Sequence, residues 1–188
     1  GLCGTEEVYF ATNFLNTDGG IMVTASHNPA DYNGMKIVGH EAKPMSMNSG
    51  LQEIKVLAEQ SSIQVSGNGL SAKQKNIRPD YVKKILSFVN LEQLRPLKIV
   101  VNAGNGCAGP IIDSIEEYLP FEFIKLNHQP DGAFPNGIPN PLLKENRKIT
   151  SDAVIEAGAD LGIAWDGDFD RCFFFDEKDK RLVDKSRI

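Results

Sequence analysis

Cysteine is scarce in this sequence: Cys3, Cys107 and Cys172 are odd in number, far apart and never in a C-x-x-C pair. That excludes a disulfide framework and a thiolate zinc site, and points to a reducing compartment. No apolar run approaches the roughly 20 residues of a membrane span, and no secretory leader opens the chain, so a cytoplasmic location is expected. Basic clusters are missing too. With 20 Lys and Arg against 25 Asp and Glu, the net charge of -5 excludes a generic nucleic-acid surface. What is present, 41% hydrophobic and 24% charged residues in 188, is a soluble composition long enough for one large domain or two small ones.

The most pointed stretch is Asp166-Gly167-Asp168-Phe169-Asp170-Arg171, set between the apolar runs Leu161 to Trp165 and Cys172 to Phe175. It reads as strand, acidic loop, strand. Alternation would put the three carboxylates on one side of the chain, where they repel one another unless a hard cation lies between them. A solvated acidic turn is the plain alternative, but both flanks are apolar enough to be buried, and Gly167 and Arg171 supply a tight turn and a fixed positive charge. A calcium loop of the EF-hand type also has acidic residues at its first, third and fifth positions and would use Glu177 at its twelfth. It needs glycine where Arg171 stands, and helices on both sides.

Along the chain, Thr5-Glu6-Glu7 opens a helix with a cap and an acidic first turn, and Val8, Phe10, Ala11, Phe14 and Leu15 repeat at helical spacing. The short strands Ile21 to Ala25 and Met35 to Val38 enclose a loop of turn-forming residues, Ser26 to Gly34. Helices are expected over Ser49 to Gln60 and about Pro79 to Asn90, joined by a mobile Ser/Gly/Asn-rich connector, Ser61 to Ser71. From Leu97 the pattern becomes strand (Leu97 to Val101), helix (Pro110 to Leu119), strand (Phe121 to Ile124), helix (Ser151 to Gly158), strand (Asp160 to Ala164). That order implies a parallel sheet with ligands collecting beyond the carboxyl ends of its strands. The acidic loop lies there.

Ser26 stands in a loop held by two strands, with His27, Asn28 and Lys36 near in sequence as donors for a phosphoryl group. Each has an ordinary reading: a turn serine, a local hydrogen-bonding histidine, a solvated edge lysine. Joined to a tri-aspartate loop that holds Mg2+, they make a phosphoryl-transfer centre.

Thr24-Ala25-Ser26-His27-Asn28-Pro29 with Asn33-Gly34-Met35-Lys36, and then Asp166-Gly167-Asp168-Phe169-Asp170-Arg171, resemble the two signature loops of the α-D-phosphohexomutase superfamily, in its phosphomannomutase/phosphoglucomutase branch. The resemblance implies an α/β fold with two three-layer α/β/α domains and mixed, mainly parallel sheets, the first domain incomplete. Residues 1–94 would be the latter part of domain 1 and 95–188 would be domain 2, out of four. It implies that Ser26 is a phosphoserine, that Asp166, Asp168, Asp170 and the phosphoserine oxygen bind Mg2+, and that Lys36 is a general acid/base. Arg171, His27 and Asn28 would orient phosphate, and the substrate would be a hexose 1- or 6-phosphate. Mannose phosphates are favoured, with a glucose phosphate mutase as alternative. Where many relatives carry histidines, this chain has Asn136 and Gly137, so the loop Pro135 to Pro141 is given no catalytic role.

Three family elements have no counterpart: an arginine-bearing segment early in domain 1, a sugar-selecting loop in domain 3 and a phosphate-gripping loop in domain 4. The isolated chain is therefore expected to be inactive, since positioning supplies most of the catalysis of phosphoryl transfer. Two further readings compete, an enzyme with an aspartyl nucleophile and a non-catalytic module that binds sugar phosphates.

Overall fold

The computed structural model describes residues 1–60 and 71–176, and the backbone of 181–183. Apart from Ser71, the expected connector Ser61 to Ser71 lies outside the described residues, as does Glu177 of the calcium alternative.

Helix α1 spans Thr5–Phe14, and Gly4 rather than Thr5 caps it, its N–H donating to Glu7 Oε2 at 3.0 Å. The Thr5 hydroxyl is thereby free for another partner. Strands β1 (Gly19–Val23) and β2 (Met35–Gly39) pair antiparallel, with Met22 opposite Lys36. Period-two alternation sends Met22 and Val38 inward, where α1 packs. Two helices follow, α2 (Leu51–Glu59) and α3 (Arg78–Leu86). The second stops short of the expected Asn90 because Ser87 captures its last carbonyls, the hydroxyl donating to Lys84 O at 2.6 Å.

The rest alternates as the pattern predicts: β3 (Lys98–Asn102), α4 (Ala108–Ile115), β4 (Glu122–Leu126), α5 (Lys148–Ala157) and β5 (Leu161–Trp165), then β6 (Cys172–Asp176) and β7 (Arg181–Val183). Helix α4 begins ahead of Pro110, which falls in the first turn, where a missing N–H costs nothing. The sheet order is β4-β3-β5-β6-β7, with β4, β3 and β5 parallel and β6 and β7 each antiparallel to the strand before. Four of these five strands therefore point one way, giving a mixed, mainly parallel sheet.

Both faces of this sheet are covered, which is why its strands read as continuous apolar runs. Ile99 and Val101 join Ile112 of α4 on one face. Val100, one residue out of phase, packs with Val154 of α5, Ala164, Phe173 and Phe175 on the other. Among the described residues no helix is long and apolar enough to cross a membrane.

Contact between α5 and the sheet is close at Gly162, where a Cβ would lie 2.5 Å from Val154 Cγ2 and 3.2 Å from Phe175 Cβ. Gly162→Ala should therefore lower the unfolding free energy by about 1–3 kcal/mol, measured by urea denaturation. The double variant Gly162→Ala/Val154→Ala should lose less than the sum of its two single changes, because one change makes room for the other.

Candidate functional site

The loop between β1 and β2 carries Ser26, and the loop after the carboxyl end of β5 carries the aspartates. Their backbones touch: a Cβ on Gly167 would sit 2.5 Å from Ser26 O. The glycine of the acidic loop is thus required by close approach of the serine loop. Gly167 O also accepts from Cys107 N at 2.9 Å, which fastens the acidic loop to the start of α4.

Ser26 has φ +57°, an uncommon left-handed conformation for a residue with a side chain. Two bonds support it. Ser26 N donates to Thr24 Oγ1 at 2.8 Å, and Thr24 Oγ1 donates to Asp168 Oδ2 at 2.9 Å. The Ser26 hydroxyl, half-buried, donates to Asp166 Oδ2 at 3.0 Å and accepts from Arg171 Nη2 at 2.8 Å.

Arg171 organises the near side of the site. Its Nε donates to Asp166 Oδ2 at 2.9 Å, its Nη2 also meets Asp166 Oδ2, and its backbone N donates to Asp166 Oδ1 at 3.2 Å. The same Nη2 meets His27 Nδ1, which lies 3.3 Å from Ser26 Oγ. A guanidinium only donates, so Nδ1 must accept and the ring proton belongs on Nε2. Burial and then the charge of Arg171 hold the His27 pKa below its ordinary value, which favours that neutral ring.

The far side is organised by Lys36, whose Nζ donates to Asp168 Oδ2 at 2.7 Å, Asp170 Oδ2 at 2.5 Å and Thr5 Oγ1 at 3.2 Å. Thr5 Oγ1 in turn donates to Asp168 Oδ2 at 2.9 Å. One oxygen of Asp168 thus receives Thr5, Thr24 and Lys36, while its buried Oδ1 has no partner among the described residues. Asp166, Asp168 and Asp170 each place an oxygen within 4.8 Å of the others. An orphaned buried carboxylate oxygen beside two more carboxylates suits a hard divalent cation, so these residues fit Mg2+.

The structure brings together Ser26, His27, Lys36, Asp166, Asp168, Asp170 and Arg171. Asn28 is exposed, its amide donating to Ala25 O at 2.8 Å within its own turn, and it lines one pocket with Ser26 and Asp168. Thr5 and Thr24 are the residues missed by sequence reasoning. The signal for Thr24 was its place in the serine motif; Thr5 gave none, because its partner is 163 positions away.

Residues 79–180 match the family model described as phosphoglucomutase/phosphomannomutase, alpha/beta/alpha domain II, and residues 1–63 match that of alpha/beta/alpha domain I. A protein of Xanthomonas campestris pv. campestris (strain B100) described as "Phosphohexose mutases" is 56% identical over 176 residues, covering 94% of this chain and 39% of that protein. A phosphomannomutase of Salmonella montevideo is 55% identical over 185 residues, 95% of this chain and 41% of its own. The crystal structure of a phosphoglucomutase/phosphomannomutase family protein from Burkholderia thailandensis superposes with a TM-score of 0.80 at 34% identity, covering 96% of this chain and 40% of that one. The chain thus spans about two fifths of the length of these relatives.

Burial pushes the Asp166 carboxyl up to about 6 from an ordinary 3.8, more than Arg171 lowers it. At Asp168 burial also acts upward, but Lys36 and the two threonine hydroxyls outweigh it and hold the group below its ordinary value. Neighbouring like charges split in this way. The folded state holds the Asp166 proton more tightly than the unfolded chain does, so that contribution to stability is complete below about pH 4 and is lost as pH rises through about 6. In EDTA, Asp166→Asn should flatten the stability profile over that window by roughly 1–3 kcal/mol, read from urea unfolding at each pH.

Proposed function

The chain belongs to the phosphoglucomutase/phosphomannomutase family, and we propose that it is the part of a Mg2+-dependent phosphomannomutase that carries the phosphoryl-transfer centre. In this reading residues 1–94 contribute the phosphoserine loop and 95–188 the metal loop, and the longer protein interconverts mannose 1-phosphate and mannose 6-phosphate in the cytoplasm. The observation that carries the proposal is the junction of the two loops: Ser26 Oγ lies 3.0 Å from Asp166 and 2.8 Å from Arg171, beside the unpartnered Asp168 Oδ1.

Ser26 is the phosphoryl carrier. As the phosphoserine Oγ–P bond breaks, a sugar hydroxyl oxygen bonds to phosphorus and gives up its proton. The bisphosphorylated sugar then returns its other phosphoryl group to Ser26. Arg171, already within hydrogen-bonding reach of the hydroxyl, steadies the phosphoserine oxygens with fixed donors. His27, whose neutral ring is favoured by burial and by Arg171, keeps that guanidinium in place. Lys36 serves as the acid/base at the sugar hydroxyl. Asp166, Asp168 and Asp170 would hold Mg2+, which when bound neutralises charge on the phosphoryl oxygens.

The uncommon positive φ of Ser26 favours a functional serine over a purely structural one. Incubation with glucose 1,6-bisphosphate and Mg2+ should add one phosphate to Ser26, seen by intact mass and peptide mapping, and Ser26→Ala should abolish it. Saturable binding of the bisphosphate with unchanged mass would instead favour a non-catalytic module, and labelling that survives Ser26→Ala an aspartyl nucleophile. Residues 1–188 alone should show no steady turnover of mannose 1-phosphate in a coupled assay, because the rest of the relatives' length supplies the positioning that this reaction depends on.

A further inference from the structure

Lys36 stands where a cation is wanted. Its ammonium bridges Asp168 Oδ2 at 2.7 Å and Asp170 Oδ2 at 2.5 Å, and the other oxygen of Asp170, Oδ1, lies 3.5 Å from Arg171 Nε. Both oxygens of Asp170 are therefore already engaged with cationic groups. Asp168 differs, since its unpartnered Oδ1 can take a metal while Oδ2 keeps its three donors. Asp166 is engaged through both oxygens as well, by Arg171 and Ser26, so a divalent ion shared by all three aspartates competes with donors on Asp166 and on Asp170. Lys36 is the partner it can displace most readily: a single flexible chain bearing one compact charge, whereas Arg171 is anchored to Asp166 through side chain and backbone.

We infer that Lys36 is the resident counter-ion of the acidic site in its metal-free state, and that a divalent cation binds by exchanging it off Asp170, which frees the amine for the sugar hydroxyl. The inference rests on the Mg2+ reading above and adds to it a coupling: the acid/base group becomes available only when the metal is in place. Two cations on one carboxylate pair repel, which favours departure of the lysine side chain when the metal arrives. The Thr5 hydroxyl, 3.2 Å from Nζ, and the Glu6 carboxyl and neutral Tyr9 phenol of α1, both electrostatically coupled to Lys36, are the other groups around this amine.

The test uses residues 1–188 in EDTA and then with rising Mg2+, with calorimetry to follow binding and a trace amine-acylating reagent to follow each lysine by mass spectrometry. Lys36 labelling should rise several-fold as Mg2+ saturates, while that of Lys98, at the opposite end of the sheet, stays constant. Lys36→Met should bind Mg2+ about tenfold more tightly, since the metal no longer displaces a charged hydrogen bond. Calorimetric Mg2+ binding with Lys36 labelling unchanged or reduced would overturn the exchange and leave the metal reading intact. Unchanged or weaker affinity in Lys36→Met would also overturn it. Absence of any Mg2+ binding by the unmodified chain would remove the metal reading and the exchange with it.

Discussion

Three carboxylates held within 4.8 Å of one another are the constraint around which this chain is arranged. At the effective dielectric of a partly buried site, each pair of like charges at that distance costs on the order of 3 kcal/mol. Two of the three are almost fully buried, so water screens little of it. The chain answers with Arg171 on Asp166 and Lys36 on Asp168 and Asp170. Two cations against three anions leave one formal negative charge, and the buried Asp168 Oδ1 is left without a partner among the described residues.

That arrangement also ties the first 36 residues to the acidic loop. Thr5, Thr24, Ser26 and Lys36 all come from the first 36 residues, and all end on aspartates beyond residue 165. Gly167 permits the contact by letting the serine loop carbonyl come close, and α4 holds Gly167 from behind. The parallel strands matter because they deliver the acidic loop at their carboxyl ends. A small error in loop position would separate the Ser26 hydroxyl from Asp166 and Arg171.

Most of the fold was legible in local pattern. Strands buried on both faces announce themselves as apolar runs, and the strand, helix, strand order leaves few topologies. The boundaries were less so: α3 ends at Leu86, where Ser87 bonds back to Lys84 O, and the cap of α1 is Gly4, which leaves the Thr5 hydroxyl to Asp168. The argument from alternation led to a correct cluster by the wrong geometry. Residues two apart on an extended strand are separated by nearly 7 Å, whereas here a turn through Phe169 at φ +49° folds the aspartates together. Asn28 was grouped with the phosphate donors because it neighbours Ser26; in the structure one of its two amide N–H groups donates within its own turn.

By itself, the sequence determined the class of fold and marked out the two loops that meet in the structure, because these follow from side-chain type and spacing over a few positions. Only the tertiary structure decided which oxygen of Asp168 is left open, that Lys36 lies on Asp170, that Arg171 reaches both serine and histidine, and why residue 167 must be glycine. Those are contacts between residues more than 130 positions apart. No local pattern encodes them, since they arise when two separately specified loops are packed into the same few ångströms.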